Sequence, residues 1–280
     1  MALPCDVMAY ATIRFDRDGP VGWLRLSRPD RLNAFTPEMW RELRELGEEL
    51  RDDLELRALV VIGEGRAFSS GIDTSVFAGD TADSLDTDAG ARRRHDDPAV
   101  DAIMQTQDAY TWLEEVPYAT IAAVRGYALG AGLQLALACD LRVFAQGTKA
   151  GLLEFKYGIL PDLGGTQRLP RLVGPGKAKE LVFTATQIDA DEAFRIGLAE
   201  RLVPEAELES AVSELAAVIA AQPPLAVEGA KRAIDAAGTL PTRDGLRIEA
   251  ERQAVCLRSD DMKEAIAAFV ERRPPSYQRR

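Results

Sequence analysis

Histidine occurs once in this chain of 280 residues, at His95. One histidine excludes a multi-histidine metal site and leaves a Ser–His–Asp triad a single residue to run through. The three cysteines, Cys5, Cys139 and Cys256, are too scattered for a metal-ligand spacing or a disulfide framework. Basic residues are in deficit: 34 Lys and Arg stand against 45 Asp and Glu, a net charge of −11. That balance argues against nonspecific nucleic-acid binding, which needs a basic surface. No run approaches the ~18 apolar residues of a membrane span. Residues 1–6 show no basic stretch ahead of an apolar one, so they do not read as a secretory signal. A cytoplasmic location is the expectation. What remains, 46% hydrophobic and 28% charged, is the composition of a folded globular protein rather than a disordered chain. The length suits one large domain, or one with a modest appendage.

The first part of the chain alternates strands with helices. Residues 11–15 and Val21–Leu26 alternate apolar and polar around Asp18-Gly19-Pro20, which predicts a hairpin. Thr36-Pro37 reads as a helix start, with Met39, Leu43, Leu46 and Leu50 at helical spacing and an end near Leu54. Residues 58–62 and 120–124 are short apolar runs of the kind that form strands buried on both faces. Helices are expected over 101–113 and 133–139, and a strand over Leu141–Ala145. Residues 79–98 are polar and read as a loop or a frayed helix. From about Gly174 the strands nearly vanish, and helical stretches run to the end. The expectation is an α/β core with a largely parallel sheet over 1–200, and a helical region over 201–280 whose apolar faces need a partner surface. No internal repeat is visible.

Three places carry chemistry. Gly65-Arg-Ala-Phe-Ser-Ser-Gly-Ile-Asp73 follows one buried strand, and Gly126-Tyr-Ala-Leu-Gly-Ala-Gly132 follows the next and opens a helix. Both lie where open α/β sheets bind ligands, beyond the carboxyl ends of strands. Side by side, they would offer two backbone N–H groups to one carbonyl oxygen, the arrangement of an oxyanion hole. Each turn alone reads equally as a tight structural turn. Neither has the spacing of a dinucleotide loop, Gly174-Pro-Gly-Lys177 lacks the spacing of a P-loop, and no Gly-x-Ser-x-Gly elbow exists. The third place is Glu154 with Asp162, two carboxylates in apolar surroundings, where a raised pKa suits proton transfer. The alternatives are that Glu154 pairs with Lys156 or Arg168, and that Asp162 caps a helix starting near Gly164. His95, among charged neighbours, reads as a surface residue, and Trp112 as core.

Together these segments resemble the crotonase superfamily, the enoyl-CoA hydratase/isomerase family. The resemblance spans almost the whole chain. It is carried by Arg28-Pro-Asp-Arg-Leu-Asn-Ala34, the two Gly-rich turns, Gly158-Ile-Leu-Pro-Asp-Leu-Gly-Gly-Thr-Gln-Arg-Leu169 and the closing Phe269-Val-Glu-Arg-Arg-Pro274. It implies an α/β spiral of ββα units (ClpP-like) with a helical C-terminal region that forms a homotrimer or a homohexamer, a dimer of trimers. It implies an acyl-CoA thioester substrate, no metal, and no cofactor beyond the coenzyme A of the substrate, with neither nucleic acid nor membrane as partner. The thioester oxygen would be held by the backbone N–H groups of Ile72 and Ala131. Arg28, Arg31, Leu32, Ala34, Arg66, Ser70, Gly71, Asp73, Gly130 and Arg272 would contact the substrate or its CoA. Of the two glutamates that hydratases of the family carry, the second matches Glu154 and the first matches Gln134. An amide cannot exchange a proton as a carboxylate does, though it can hold a water. Asp162, eight residues after Glu154, matches a spacing found in isomerases of the family. The resemblance therefore implies double-bond isomerisation with Glu154 and Asp162 as base and acid. A 2-enoyl-CoA hydratase is the alternative, and an acyl-CoA-binding member without catalysis is a third.

Overall fold

The computed structural model describes residues 8–78 and 94–280. Most of the segment read as a loop or frayed helix, 79–93, lies outside the described residues. The chain begins β1 (Met8–Ala9), β2 (Ile13–Asp18), β3 (Val21–Leu26), α1 (Pro37–Leu50), β4 (Ala58–Gly63) and α2 (Pro98–Glu115). It continues β5 (Ala119–Val124), β6 (Tyr127–Leu129), α3 (Ala131–Ala138), β7 (Leu141–Ala145), β8 (Lys149–Gly151) and α4 (Gly165–Thr184). It closes with β9 (Ile188–Asp189), α5 (Ala190–Arg195), β10 (Arg201–Val203), α6 (Leu208–Ala220), α7 (Pro224–Ala237), α8 (Thr242–Arg258) and α9 (Asp260–Glu271).

Local chemistry sets these boundaries. β2 and β3 pair antiparallel from Ile13↔Leu26 to Asp18↔Val21, the expected hairpin. Thr36 caps α1 by accepting the Met39 N–H, with Pro37 in the first turn where its missing N–H costs nothing. The helix stops at Leu50 rather than near Leu54. The Asp53 carboxylate takes the N–H groups of Glu55 and Leu56, a local turn that competes with another helical turn. α4 bends at Gly174, whose φ of 78° and ψ of 156° break the helix beside Pro175.

The large sheet has the order β1-β2-β3-β4-β5-β7-β10, parallel from β3 onward. A second sheet, β6-β8-β9, lies beside it. The chain passes from one sheet to the other and then into a helix: β5 to β6 to α3, then β7 to β8 to α4. An earlier turn of the same kind leaves β4, forms a single bridge at Ser69↔Ala128 and reaches α2 after the segment outside the described residues. These stacked ββα turns are the spiral that the resemblance implies. They repeat a shape without repeating a sequence.

All of β4 is buried. Leu59 and Val61 pack with Leu43, Leu46 and Leu113 of α1 and α2. Ala58, Val60 and Ile62 pack under Leu208, Val212 and Ala216 of α6. The apolar run thus has two covered faces, as a central parallel strand requires. β10 follows residue 200 and extends the large sheet alongside β7, so the sheet continues past the expected boundary. α7 is anchored by Lys231. Its buried ammonium donates to the Leu113 and Tyr118 carbonyls and to Asp140, at 2.9, 3.2 and 2.9 Å. α8 buries none of its residues, and α9 leaves Ile266, Phe269 and Val270 exposed. No single described helix is long and apolar enough to cross a membrane.

Removing one partner of a buried ion pair leaves the other charge uncompensated. Lys231→Met is therefore expected to lower stability by about 2–4 kcal/mol in urea unfolding, with partial recovery when Asp140→Asn is added. Equal stability of the single variant and the parent would refute the anchoring role.

Candidate active site

The two Gly-rich turns meet. The Ser69 N–H donates to the Tyr127 carbonyl and the Leu129 N–H returns a bond to Ser69, at 2.8 and 3.1 Å. Gly132 allows that approach, because a Cβ there would fall 2.6 Å from the Ser69 Cβ. In the bridge between Phe35 and Ile72, the Phe35 N–H donates to Gly71 and the Asp73 N–H to Phe35. The Ile72 N–H therefore points away from Phe35. Ala131 opens α3, and a first-turn N–H has no acceptor within its own helix. Gly130 precedes it at φ 49° and ψ −121°, a conformation open in practice only to glycine. A Cβ on Gly130 would lie 4.0 Å from the Gly71 Cα, so the turns are in contact. Two backbone donors are thus brought together.

Glu154 stands beside them. It opens a short 3-10 turn, Glu154–Tyr157, and is 5% exposed. Its carboxylate pairs with neither Lys156 nor Arg168. The Gln134 Nε2 donates to Glu154 Oε1 at 2.8 Å, while Arg168 is committed to Glu114. Glu154 Oε2 is buried and has no hydrogen-bond partner. Burial pushes the carboxyl up to about 7, its own backbone N–H and the Gln134 bond pull the other way, and Asp162 adds a smaller push. The Gln134 Oε1 in turn accepts the N–H groups of Leu163 and Gly165, at 2.8 and 2.9 Å. Asp162 does not cap α4, whose N-cap is Gly164. Its carboxyl is half-buried and is raised by that burial.

A pocket of about 60 Å³ opens here, lined by Ile72, Gly130, Ala131, Glu154, Tyr157 and Ile159 among others. Asp162 is not among its lining residues. A larger cavity, about 530 Å³ between the end of α3 and α7, shares no residue with it. That cavity contains the Lys231–Asp140 pair, already bonded internally, whereas the smaller pocket is lined by Ile72, Ala131 and the buried carboxyl, and is the candidate site.

This arrangement can hold a carbonyl oxygen on two N–H groups and move a proton beside it. The family model for enoyl-CoA hydratase/isomerase matches residues 16–280. The chain belongs to the enoyl-CoA hydratase/isomerase family. A probable enoyl-CoA hydratase of Mycobacterium tuberculosis is 36% identical over 276 residues, covering 98% of this chain and 100% of its own. A crotonyl-CoA hydratase of Syntrophomonas wolfei is 34% identical, covering 96% and 99%. The crystal structure of a putative enoyl-CoA hydratase from Streptomyces coelicolor superposes with a TM-score of 0.88 at 35% identity, covering 100% of this chain and 98% of that one. The fold is that of the crotonase superfamily.

Within this family frame, the segment 28–34 forms a turn against the first Gly-rich loop. Leu32 and Asn33 both adopt positive φ, and the Ser70 N–H donates to the Leu32 carbonyl. Arg28 is paired with Asp73 at 3.0 Å and also donates to the Ala34 carbonyl, so it braces the loop rather than standing free. Arg31 and Arg66 are exposed on adjacent turns, where Gly65 packs on Pro29. Arg272 ends α9, exposed, and no described hydrogen bond or ion pair joins its side chain to the site. His95 is exposed beside the start of α2, where its Nδ1 accepts the Asp97 N–H. Trp112 is core, packed on Gly47.

Three organising residues escaped the sequence reading. Asn33, fully buried, accepts the Arg28 N–H and donates to the Glu64 and Ala67 carbonyls. Ser69 donates to the Asn33 carbonyl and accepts the Gly71 N–H. Tyr110 donates to the Ala131 carbonyl, fixing the second turn from below. Asn33 and Ser69 sit inside quoted motifs. Tyr110 carries no signal beyond an aromatic on an amphipathic helix.

Glu154 keeps its proton in the folded chain to about pH 7, whereas an unfolded glutamate releases it near the ordinary value of 4.5. Between these values the folded state holds more protons, so the stability contributed by this group falls as pH rises. Glu154→Gln removes the effect. It is expected to match the parent near pH 4.5 and exceed its stability at pH 8 by about 2–3 kcal/mol, read by urea unfolding at both pH values. Parallel stability–pH curves for the two proteins would exclude the raised pKa.

Proposed function

We propose that the protein isomerises a carbon–carbon double bond in an enoyl-CoA. The observation that carries this reading is one buried carboxyl, Glu154, poised near neutrality in a pocket that Ile72 and Ala131 also line. The N–H groups of Ile72 and Ala131 take the thioester oxygen. A carboxylate removes a proton from the carbon next to the thioester, or from the vinylogous carbon two bonds further along the chain. The C–H electron pair spreads into a dienolate whose charge rests on that oxygen, where two aligned donors act strongly in a site closed to water. The proton returns at the other end of the allyl system and the double bond shifts. No water is consumed and nothing is oxidised. Glu154 and Asp162 divide the removal and return, in either order.

A second reading, hydration of a 2-enoyl-CoA, is favoured by the hydratase names of the relatives. It would need Glu154 to activate the water without a partner carboxylate at position 134. We extend the proposal to a homotrimer or a dimer of trimers, supported by the exposed apolar side chains of α8 and α9. The two cysteines among the described residues, Cys139 and Cys256, are free, which suits the reducing cytoplasm.

Incubation with 2-enoyl-, 3-enoyl- and 2,5-dienoyl-CoA in heavy water separates the readings by mass spectrometry. The expected result is a shifted double bond with deuterium at exchangeable carbon and no added water, lost by about 10²–10⁴-fold in Glu154→Gln. Stoichiometric addition of water would establish the hydratase instead. Tight binding of every thioester without change would establish a binding protein.

A further inference from the structure

Gln134 sits in α3 and is 1% exposed. Its side chain makes three hydrogen bonds, and their polarity fixes which end is which. Two backbone N–H groups, from Leu163 and Gly165, point at one amide atom. Only the oxygen can accept them, so the NH₂ must face Glu154. The amide cannot turn over without setting two buried donors against its own NH₂. Gly165 keeps the approach open, since a Cβ there would fall 2.9 Å from the Gln134 oxygen.

An amide NH₂ donates and never accepts. The Glu154 Oε1 that it holds at 2.8 Å is therefore an acceptor in both protonation states of the carboxyl. The other oxygen, Oε2, is buried and has no hydrogen-bond partner among the described residues. The same amide ties the 161–165 loop, which carries Asp162, to the Glu154 carboxyl.

We propose that Gln134 is a positioning residue that locks the orientation of the Glu154 carboxyl as it carries the reacting proton, and ties it to the 161–165 loop that bears Asp162. This rests on the reading above that Glu154 carries that proton. A glutamate at 134 could keep both backbone contacts. It would then turn a second carboxylate oxygen towards Glu154, so the two groups would repel or share a proton and titrate as a pair. The glutamine thus keeps position 134 from competing with Glu154 for the proton.

The test compares Gln134→Leu, Gln134→Glu and Glu154→Gln. The readouts are the pH dependence of solvent-deuterium exchange into 3-enoyl-CoA and the carboxyl titration of Glu154 in protein labelled with ¹³C-glutamate. With Gln134→Leu, kcat is expected to fall by about 10–100-fold with KM little changed, the effect of a misplaced reacting group. The Glu154 midpoint should rise, because the bond that pulls it down is gone. With Gln134→Glu, the single carboxyl titration should become two coupled steps. If Gln134→Leu does not fold, Gln134→Glu decides the matter by the same two readouts. A parental midpoint and parental kcat in the leucine variant, or a single parental titration of Glu154 in the glutamate variant, would overturn the proposal. A fully active Glu154→Gln would instead remove the reading on which it rests, and that result is distinct from either of the others.

Discussion

The bridge between Ser69 and Ala128 joins the first Gly-rich turn to the second, and the geometry of the site follows from it. Each turn ends a coil of the spiral, and coils stack at a spacing set by backbone hydrogen bonds. The Phe68 N–H reaches the Arg125 carbonyl, and the Lys149 N–H reaches the Gly126 carbonyl. Backbone bonds of this kind tolerate little adjustment. The backbone N–H groups of Ile72 and Ala131 are therefore positioned by the fold itself and not by adaptable side chains. Asn33, Ser69 and Tyr110 hold the same turns from behind, with hydrogen bonds that end on backbone atoms. Preorganised donors need no rearrangement as charge develops on a bound oxygen.

A rigid anion cradle does no chemistry unless a proton can move beside it. Here two opposing effects set the carboxyl's readiness. Burial disfavours the ionised form of Glu154, and hydrogen bonds from its own backbone N–H and the Gln134 amide favour it. Burial wins, but only as far as neutrality. A fully unpaired buried carboxyl would be too weak an acid to ionise, and one with several donors too weak a base to react. The charge balance of the whole chain plays no part in this. Arg28 is spent on Asp73 and Arg168 on Glu114, so neither cation stands against the reacting carboxyl.

Much of this was legible in the residues. The hairpin, the Thr36 cap and the doubly buried strands follow from local patterns that short-range physics enforces. The two turns were visible as glycines at strand ends, but their contact was not, because it depends on how the coils stack. The spiral left no sequence repeat, since the ββα units share backbone geometry while each buries a different set of side chains. Choosing among the partners open to Glu154 required the path of α4, which turns Arg168 towards Glu114. Gln134 looked like a missing carboxylate. Its engagement with Leu163 and Gly165 could not be read, because both partners are backbone atoms nearly thirty residues away or more. The end of α1 was missed for a smaller reason, an aspartate that bonds its own neighbours.

Lys231 carries a consequence for the order of assembly. Its ammonium takes oxygens from the end of α2, from the approach to β5 and from the turn between α3 and β7. A cation gives up its water only when replacements are already in place. The three oxygens are brought together by the stacked coils and not by α7. The seat of α7 is therefore complete only where those three segments converge, and a misplaced coil would leave the ammonium buried and unpaired. In this chain the docking of α7 reports on the winding of the core beneath it.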